Sequence, residues 1–136
     1  MGSARSQRLT DLELEIMQVI WEVHPEPLTV RAVVDRLAEL GRSFAYTTVQ
    51  TMMNILRRKG VLEVRAGKGR AHEYRARWTQ DEARHRMTSE FVQRLFAGRA
   101  QPLLAHLLEH ESMSRDELSA LKQRIERQLQ DEEGRV

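Results

Sequence analysis

The amino-acid sequence predicts a mainly α-helical protein that carries one small β-hairpin. Capping sequences precede several segments whose apolar residues recur every three or four positions, as on one face of a helix. One segment, residues 61–76, instead alternates its side chains around a glycine-rich turn, which is typical of a hairpin. The length of 136 residues suits one domain with an appended helical arm.

Two helices are predicted in the first 41 residues. Thr10 and Glu13 form a capping box, and apolar residues then follow at helical spacing until the His-Pro-Glu-Pro stretch at 24–27 ends the helix. Thr29 caps the second helix, and Gly41 is its expected stop signal.

A third helix and the hairpin complete the first domain. The helix is expected from about Tyr46 to Lys59. Val61–Ala66 and Ala71–Ala76 flank the turn at residues 67–70 and form the predicted hairpin. Three helices followed by a hairpin is the order of a winged helix-turn-helix domain, which we assign to residues 1–77.

Three further helices are predicted in residues 78–136. The first opens at the capping box of Thr79–Glu82, the second starts near Pro102, and the third opens at the box of Ser114–Glu117. Their apolar side chains are too many for a small winged helix to cover, and a symmetric second copy is the commonest partner. Residues 78–136 are therefore predicted to be a helical dimerisation domain. Its expected interface residues are Phe91, Leu95, Phe96, Leu103, Leu104, Leu107, Leu108, Leu118, Leu121 and Ile125.

The net charge of +2 conceals a strong segregation of charge along the chain. Residues 42–77 carry nine basic and two acidic groups, a balance of +7. Such a basic block in a nearly neutral chain is typical of contact with a polyanion. We predict DNA phosphate contacts from Arg42, Tyr46, Arg57, Arg58, Lys68 and Arg70.

The third predicted helix has two chemically different faces. Its apolar residues fall on one side, and short polar residues fall on the other. Short polar side chains let a helix approach base edges in the major groove, and a threonine methyl group can touch the methyl group of thymine. Base contacts are therefore predicted for Thr47, Thr48, Thr51 and Asn54.

Composition excludes several function classes. Because the chain has no cysteine, it has no thiol nucleophile, disulfide or thiolate metal site. No apolar run reaches the roughly 18 residues that span a bilayer, and the acidic start does not fit a signal peptide, so we expect a soluble, cytoplasmic protein that does not insert into a membrane. Gly67-Lys68-Gly69 is too short for a phosphate-binding loop. The sequence thus predicts no enzyme activity, catalytic residue, cofactor or metal site.

Two alternative functions remain open from the residues alone. His106 and His110 stand four positions apart on a predicted helix, a spacing that two metal ligands can use, which would suit a metal- or ligand-sensing regulator. A winged helix can also be a protein-interaction module that never contacts DNA.

Three stretches of the chain resemble the penicillinase repressor family, the BlaI/MecI/CopY type of winged-helix transcriptional regulators. They are LTDLELEIMQVIW (Leu9–Trp21), YTTVQTMMNILRRKGVL (Tyr46–Leu62) and SEFVQRLFAG (Ser89–Gly98). A looser match covers Leu103–Glu126. The Thr-Val-Gln-Thr-Met core followed by Arg-Arg-Lys-Gly is the most specific part.

The resemblance implies a homodimeric repressor that binds a palindromic double-stranded DNA operator. The third helix would be the recognition helix, a role that falls here on Thr47, Thr48 and Thr51. In such proteins a membrane sensor-protease responds to β-lactam, and cleavage within the dimerisation domain ends repression. The match places the cleaved bond near His106–Leu107, although the family's usual Asn-Phe pair is absent. The copper-responsive branch uses Cys-x-Cys pairs, which this chain lacks.

Overall fold

The computed structural model describes residues 8–67, 69 and 71–135, which form six helices and one hairpin. The helices are α1 (Asp11–Val23), α2 (Val30–Glu39), α3 (Tyr46–Arg58), α4 (Gln80–Phe96), α5 (Ala100–His110) and α6 (Arg115–Gly134). The strands β1 (Leu62–Ala66) and β2 (His72–Ala76) lie between α3 and α4. The predicted fold class is confirmed: three helices and a hairpin in winged helix-turn-helix order, followed by further helices.

The chain divides into two compact units, one ending at Phe91 and the other starting at Val92. Helix α4 begins in the first unit and ends in the second. The functional boundary expected between residues 77 and 78 stays a prediction.

The core of the first unit lies between α1, α2, α3 and the hairpin. Its largest fully buried side chains include Ile16, Ile20, Leu37, Met53 and Leu56. The capping box that opens α1 is present as predicted, because Thr10 accepts from the amide of Glu13 while Glu13 accepts from the amide of Thr10. The side chain of Thr29 caps α2 in the same way, by accepting from the amide of Ala32.

Helices α2 and α3 end in the same glycine motif. Gly41 and Gly60 both have φ of +82°, a left-handed conformation that favours glycine. The amide that follows each glycine donates back across the helix end, from Arg42 to the carbonyl of Leu37 at 2.8 Å and from Val61 to that of Leu56 at 2.9 Å. These turns fix where α3 begins and direct the chain from α3 into β1.

The hairpin pairs its strands antiparallel, with Leu62 opposite Ala76 and Val64 opposite Tyr74. Leu28, just before α2, adds a third short strand position that the sequence analysis did not predict. Its amide donates to the carbonyl of Tyr74 at 2.9 Å, and its carbonyl accepts from the amide of Tyr74 at 2.8 Å. The hairpin is therefore joined to the start of α2 as well as to the end of α3.

The second unit exposes much of its apolar surface. Neither α5 nor α6 contains a buried residue. Helix α6 opens at the predicted capping box, in which Ser114 accepts from the amide of Glu117 at 3.1 Å. The end of α4 is also as expected: Gly98, with φ of +80°, donates from its amide to the carbonyl of Val92 at 3.1 Å.

Candidate nucleic-acid interface

Helix α3 presents a polar face outward and anchors itself through an apolar face. Val49, Met53 and Leu56 have no exposed surface. The side chains predicted to contact bases lie on the other side: Thr47, Thr48 and Thr51 are exposed, and Asn54 is half-buried. The outer surface of α3 is therefore free to enter a groove, while its apolar side packs the helix against the core.

Gln50 is an exposed residue of this face that the sequence analysis did not select. At 100° per residue it lies only about 60° from the direction of Thr47, whereas Thr48 lies about 100° away. Glutamine can donate to and accept from one base edge at the same time, and it reads adenine in this way. The angular spacing can be worked out from the sequence, and it favours Gln50 over Thr48 as a base contact.

Asn54 is connected to the hairpin by a side-chain hydrogen bond. The hydroxyl group of Tyr74 donates to Oδ1 of Asn54, with 3.1 Å between the oxygen atoms. Burial raises the pKa of Tyr74, with a smaller opposing effect from the charge of Arg57 and a small added one from Tyr46. The phenol therefore stays protonated at neutral pH and remains a donor.

The basic side chains at the end of α3 differ in their availability. Arg57 and Arg58 are exposed and make no ion pair within the described part of the chain. Both are suitably placed to meet phosphates that flank a groove-bound helix. Lys68 and Arg70, the other predicted contacts of the hairpin tip, lie outside the described residues.

Arg42 is engaged by an acidic side chain of α1. Its Nε donates to Oε1 of Glu15 at 2.7 Å, and its second terminal nitrogen donates to Oε2 at 3.1 Å. This two-pronged hydrogen bonding lowers the pKa of Glu15. Arg42 would have to release Glu15 before it could contact a phosphate.

Lys59 stabilises the fold and is not available to contact DNA. Its Nζ donates to Oε1 of Glu13 at 2.9 Å and to the carbonyl of Arg8 at 2.9 Å. Burial would raise the pKa of Glu13, but hydrogen bonds from Lys59 and Thr10 outweigh it and the pKa is lowered. Arg75 likewise pairs with Glu63. Fewer basic groups of the block at 42–77 are thus available to a polyanion than the sequence implies.

A groove beside α3 contains a basic residue that the sequence analysis also missed. It is about 330 Å³ in volume and is bounded by the start of α2, by α3 and by β2. The guanidinium group of Arg31 stacks over the exposed ring of Tyr46, 5.0 Å from the ring centre. Tyr46 was a predicted phosphate contact, and Arg31 places a positive charge next to it. The charge balance of residues 9–41, which is acidic overall, concealed this arginine.

The predicted dimer residues lie mainly on exposed surface of the chain. Leu103, Leu107 and Phe96 are partly buried, and the others are exposed: Phe91, Leu95, Leu104, Leu108, Leu118, Leu121 and Ile125. The bond between His106 and Leu107 lies inside α5.

The rings of His106 and His110 are close together on α5, with 4.4 Å between their centres. Within the described ranges, no three His, Asp or Glu side chains are grouped as a metal site. None of the helices described is long and apolar enough to cross a bilayer.

The family model and the curated relatives of this chain agree on one family. The model of the penicillinase repressor family matches residues 9–127. The transcriptional regulator BlaI of Mycobacterium tuberculosis is 36% identical over 124 residues, which cover 90% of this chain and 86% of that protein. The penicillinase repressor of Bacillus licheniformis is 26% identical over 119 residues, covering 88% and 90%. The solved structure of hsRosR-S4 shares the fold at 20% identity, with a TM-score of 0.50 over 97% of this chain and 96% of that one.

Proposed function

The chain belongs to the penicillinase repressor family, and from this membership we propose that it is a homodimeric repressor that binds a palindromic DNA operator. It is a transcriptional regulator with a winged-helix DNA-binding domain, and its relatives are repressors and regulators, not enzymes.

The exposed polar face of α3 is the observation that carries the proposal. With Val49, Met53 and Leu56 buried beneath it, α3 lies in the major groove with Thr47 and Thr51 against base edges. Arg57 and Arg58 meet the phosphates at the end of the helix, and Tyr46 meets them at its start. An operator occupied in this way is closed to RNA polymerase, which is the simplest mechanism of repression.

The leucine-rich surface of the second unit supports the proposed dimer. Leu95, Leu104 and Leu108 each have more than half of their surface exposed, and Ile125 and Leu129 of α6 do as well. A concentration of exposed large apolar side chains in one part of a chain is typical of a surface that another protein covers. A two-fold dimer would read a palindromic operator whose half-sites lie one helical turn, about 34–36 Å, or a multiple of it, apart.

Cleavage at His106–Leu107 by a membrane sensor-protease is the proposed way in which repression ends. A protease binds its substrate as an extended chain, so this bond becomes accessible when α5 unwinds locally. Helix α5 has no buried residue to oppose unwinding in a single chain. Cleavage would separate the winged helix from α6 and so weaken the dimer.

Selection of bound sequences from a random pool of duplex DNA tests the function directly. The full chain should enrich a palindrome, because two identical α3 helices read two identical half-sites. Enrichment of a single unrepeated motif would contradict the dimer while leaving DNA reading intact. No enrichment over several rounds would contradict sequence-specific binding altogether.

A further inference from the structure

The carboxamide of Asn54 is held at its oxygen end by the hairpin. The Tyr74 hydroxyl lies 3.1 Å from Oδ1. Because a carbonyl oxygen carries no hydrogen, the tyrosine must be the donor in this pair. The contact therefore fixes which end of the amide faces the body of the domain.

Tyr74 is a firm support for this contact. Its side chain is almost completely buried, with 3% of the residue exposed. Its backbone is hydrogen-bonded to Leu28 through both its amide and its carbonyl, and it is paired with Val64 in the hairpin. The backbone that carries this buried ring is thus held by both neighbouring strand positions.

The nitrogen end of the same amide remains available. No hydrogen bond in the described part of the chain involves Nδ2 of Asn54. Among the described side chains that are not exposed, the buried nitrogen or oxygen atom that lacks a hydrogen-bond partner is Oε2 of Glu13. Because Nδ2 of Asn54 also lacks a partner but is not such a buried atom, it is accessible to solvent. Asn54 also continues the outward stripe of Thr47 and Thr51, three residues further along α3.

We propose that Tyr74 makes Asn54 a donor-only reader of the major groove, one that selects guanine at one position of each half-site. An unrestrained asparagine reads adenine by accepting from N6 and donating to N7. With Oδ1 turned toward Tyr74, Asn54 presents its two N–H groups, and guanine offers the adjacent acceptors N7 and O6. Cytosine presents an amino donor at this edge and is rejected. This inference rests on the proposed repressor function and adds Tyr74 as a positioning residue.

The test measures base preference rather than affinity alone. The full chain and its variants are titrated with the selected operator carrying each of the four bases at every position of one half-site. Asn54→Ala identifies the position that Asn54 reads, because the preference there disappears. At that position the unaltered protein should favour guanine over cytosine by about tenfold or more.

Two variants test the two parts of this inference, the orientation of the amide and its use as a donor. Tyr74→Phe keeps the ring and removes the hydroxyl group, so the amide can turn and the preference should shift toward adenine. Asn54→Asp keeps an acceptor for Tyr74 but removes the donors, so the preference should move to cytosine, whose amino group a carboxylate accepts. Thr88→Ala, which removes an exposed hydroxyl group of α4, is the control and should leave all base preferences unchanged.

Three outcomes would overturn the inference. They are an adenine preference in the unaltered protein, an unchanged preference in Tyr74→Phe, and equal loss on all bases in Asn54→Asp. A merely structural role of Tyr74 would weaken binding to every sequence alike without changing the preferred base. If Tyr74→Phe fails to fold, the unaltered protein still decides, because an amide that Tyr74 does not orient would prefer adenine to guanine. If the unaltered protein prefers no sequence, the proposed function itself is wrong, which is a distinct result.

Discussion

Replacing Lys59 by methionine tests the ion pair that joins the end of α3 to the start of α1. The substitution keeps most of the aliphatic stem but removes the ammonium group that lies 2.9 Å from Glu13. The carboxylate would then be left without its cation, in a side chain that is only 2% exposed. Removing one partner of a buried pair typically costs about 3–5 kcal/mol.

The structure places the expected cost at the lower end of this range. The side chain of Lys59 is 20% exposed, so water partly reaches the pair. Glu13 also keeps its hydrogen bonds with Thr10. We therefore expect Lys59→Met to lower the free energy of unfolding by about 3 kcal/mol, measured by urea denaturation. Arg75→Met, which breaks the exposed pair with Glu63, is the control and should change little.

A double variant and a pH series make the prediction specific to the charge. Glu13→Gln combined with Lys59→Met should regain most of the loss, because glutamine also completes a capping box and leaves no buried charge. The pKa of Glu13 is lowered in the folded state. The stabilisation that the ionised Glu13 carboxylate gives the folded state is therefore present above the ordinary glutamate pKa. It is lost as pH falls through the lowered pKa of Glu13 in the folded state. Below that value, Lys59→Met and the unaltered protein should converge. A difference under about 1 kcal/mol at pH 7 would refute the account of this pair.

Two further predictions concern DNA binding and assembly. Arg58→Ala should weaken binding to operator and random DNA alike and reduce the slope of log affinity against log salt by about 1. Fluorescence anisotropy at several salt concentrations measures both effects. A loss of affinity confined to the operator would instead make Arg58 a base reader. Leu108→Glu should shift the protein toward monomer in sedimentation velocity and weaken operator binding. Leu40→Glu alters an equally exposed leucine of the first unit and should have neither effect. An unchanged dimer in Leu108→Glu would contradict a dimer contact through α5.

The helices of the first unit were predictable because their signals are local. Capping boxes, apolar spacing and terminal glycines are all contained within a few residues, and Thr10, Thr29 and Gly41 act as those signals indicate. The hairpin followed from its glycine-rich turn. The Leu28–Tyr74 bridge did not, since a single residue pair leaves no periodic pattern in the sequence.

The candidate interface was predictable in outline but not in its charges. The outward face of α3 follows from helical periodicity alone, and the three threonines lie on exposed surface. The partners of Lys59 and Arg42 are 46 and 27 residues away along the chain, so no local pattern reveals that these side chains are already engaged. The hydrogen bond from Tyr74 to Asn54 is hidden for the same reason.

The threonine face of α3 is tested most directly by comparing operator and scrambled DNA. Thr47→Ala and Thr51→Ala should each weaken operator binding by about 1–3 kcal/mol at most while scarcely changing the affinity for scrambled DNA, because base contacts and not phosphate contacts are lost. Thr88→Ala, at an exposed threonine of α4, is the matched control and should change neither affinity. Equal losses on operator and scrambled DNA, or no loss on either, would contradict base reading by this face.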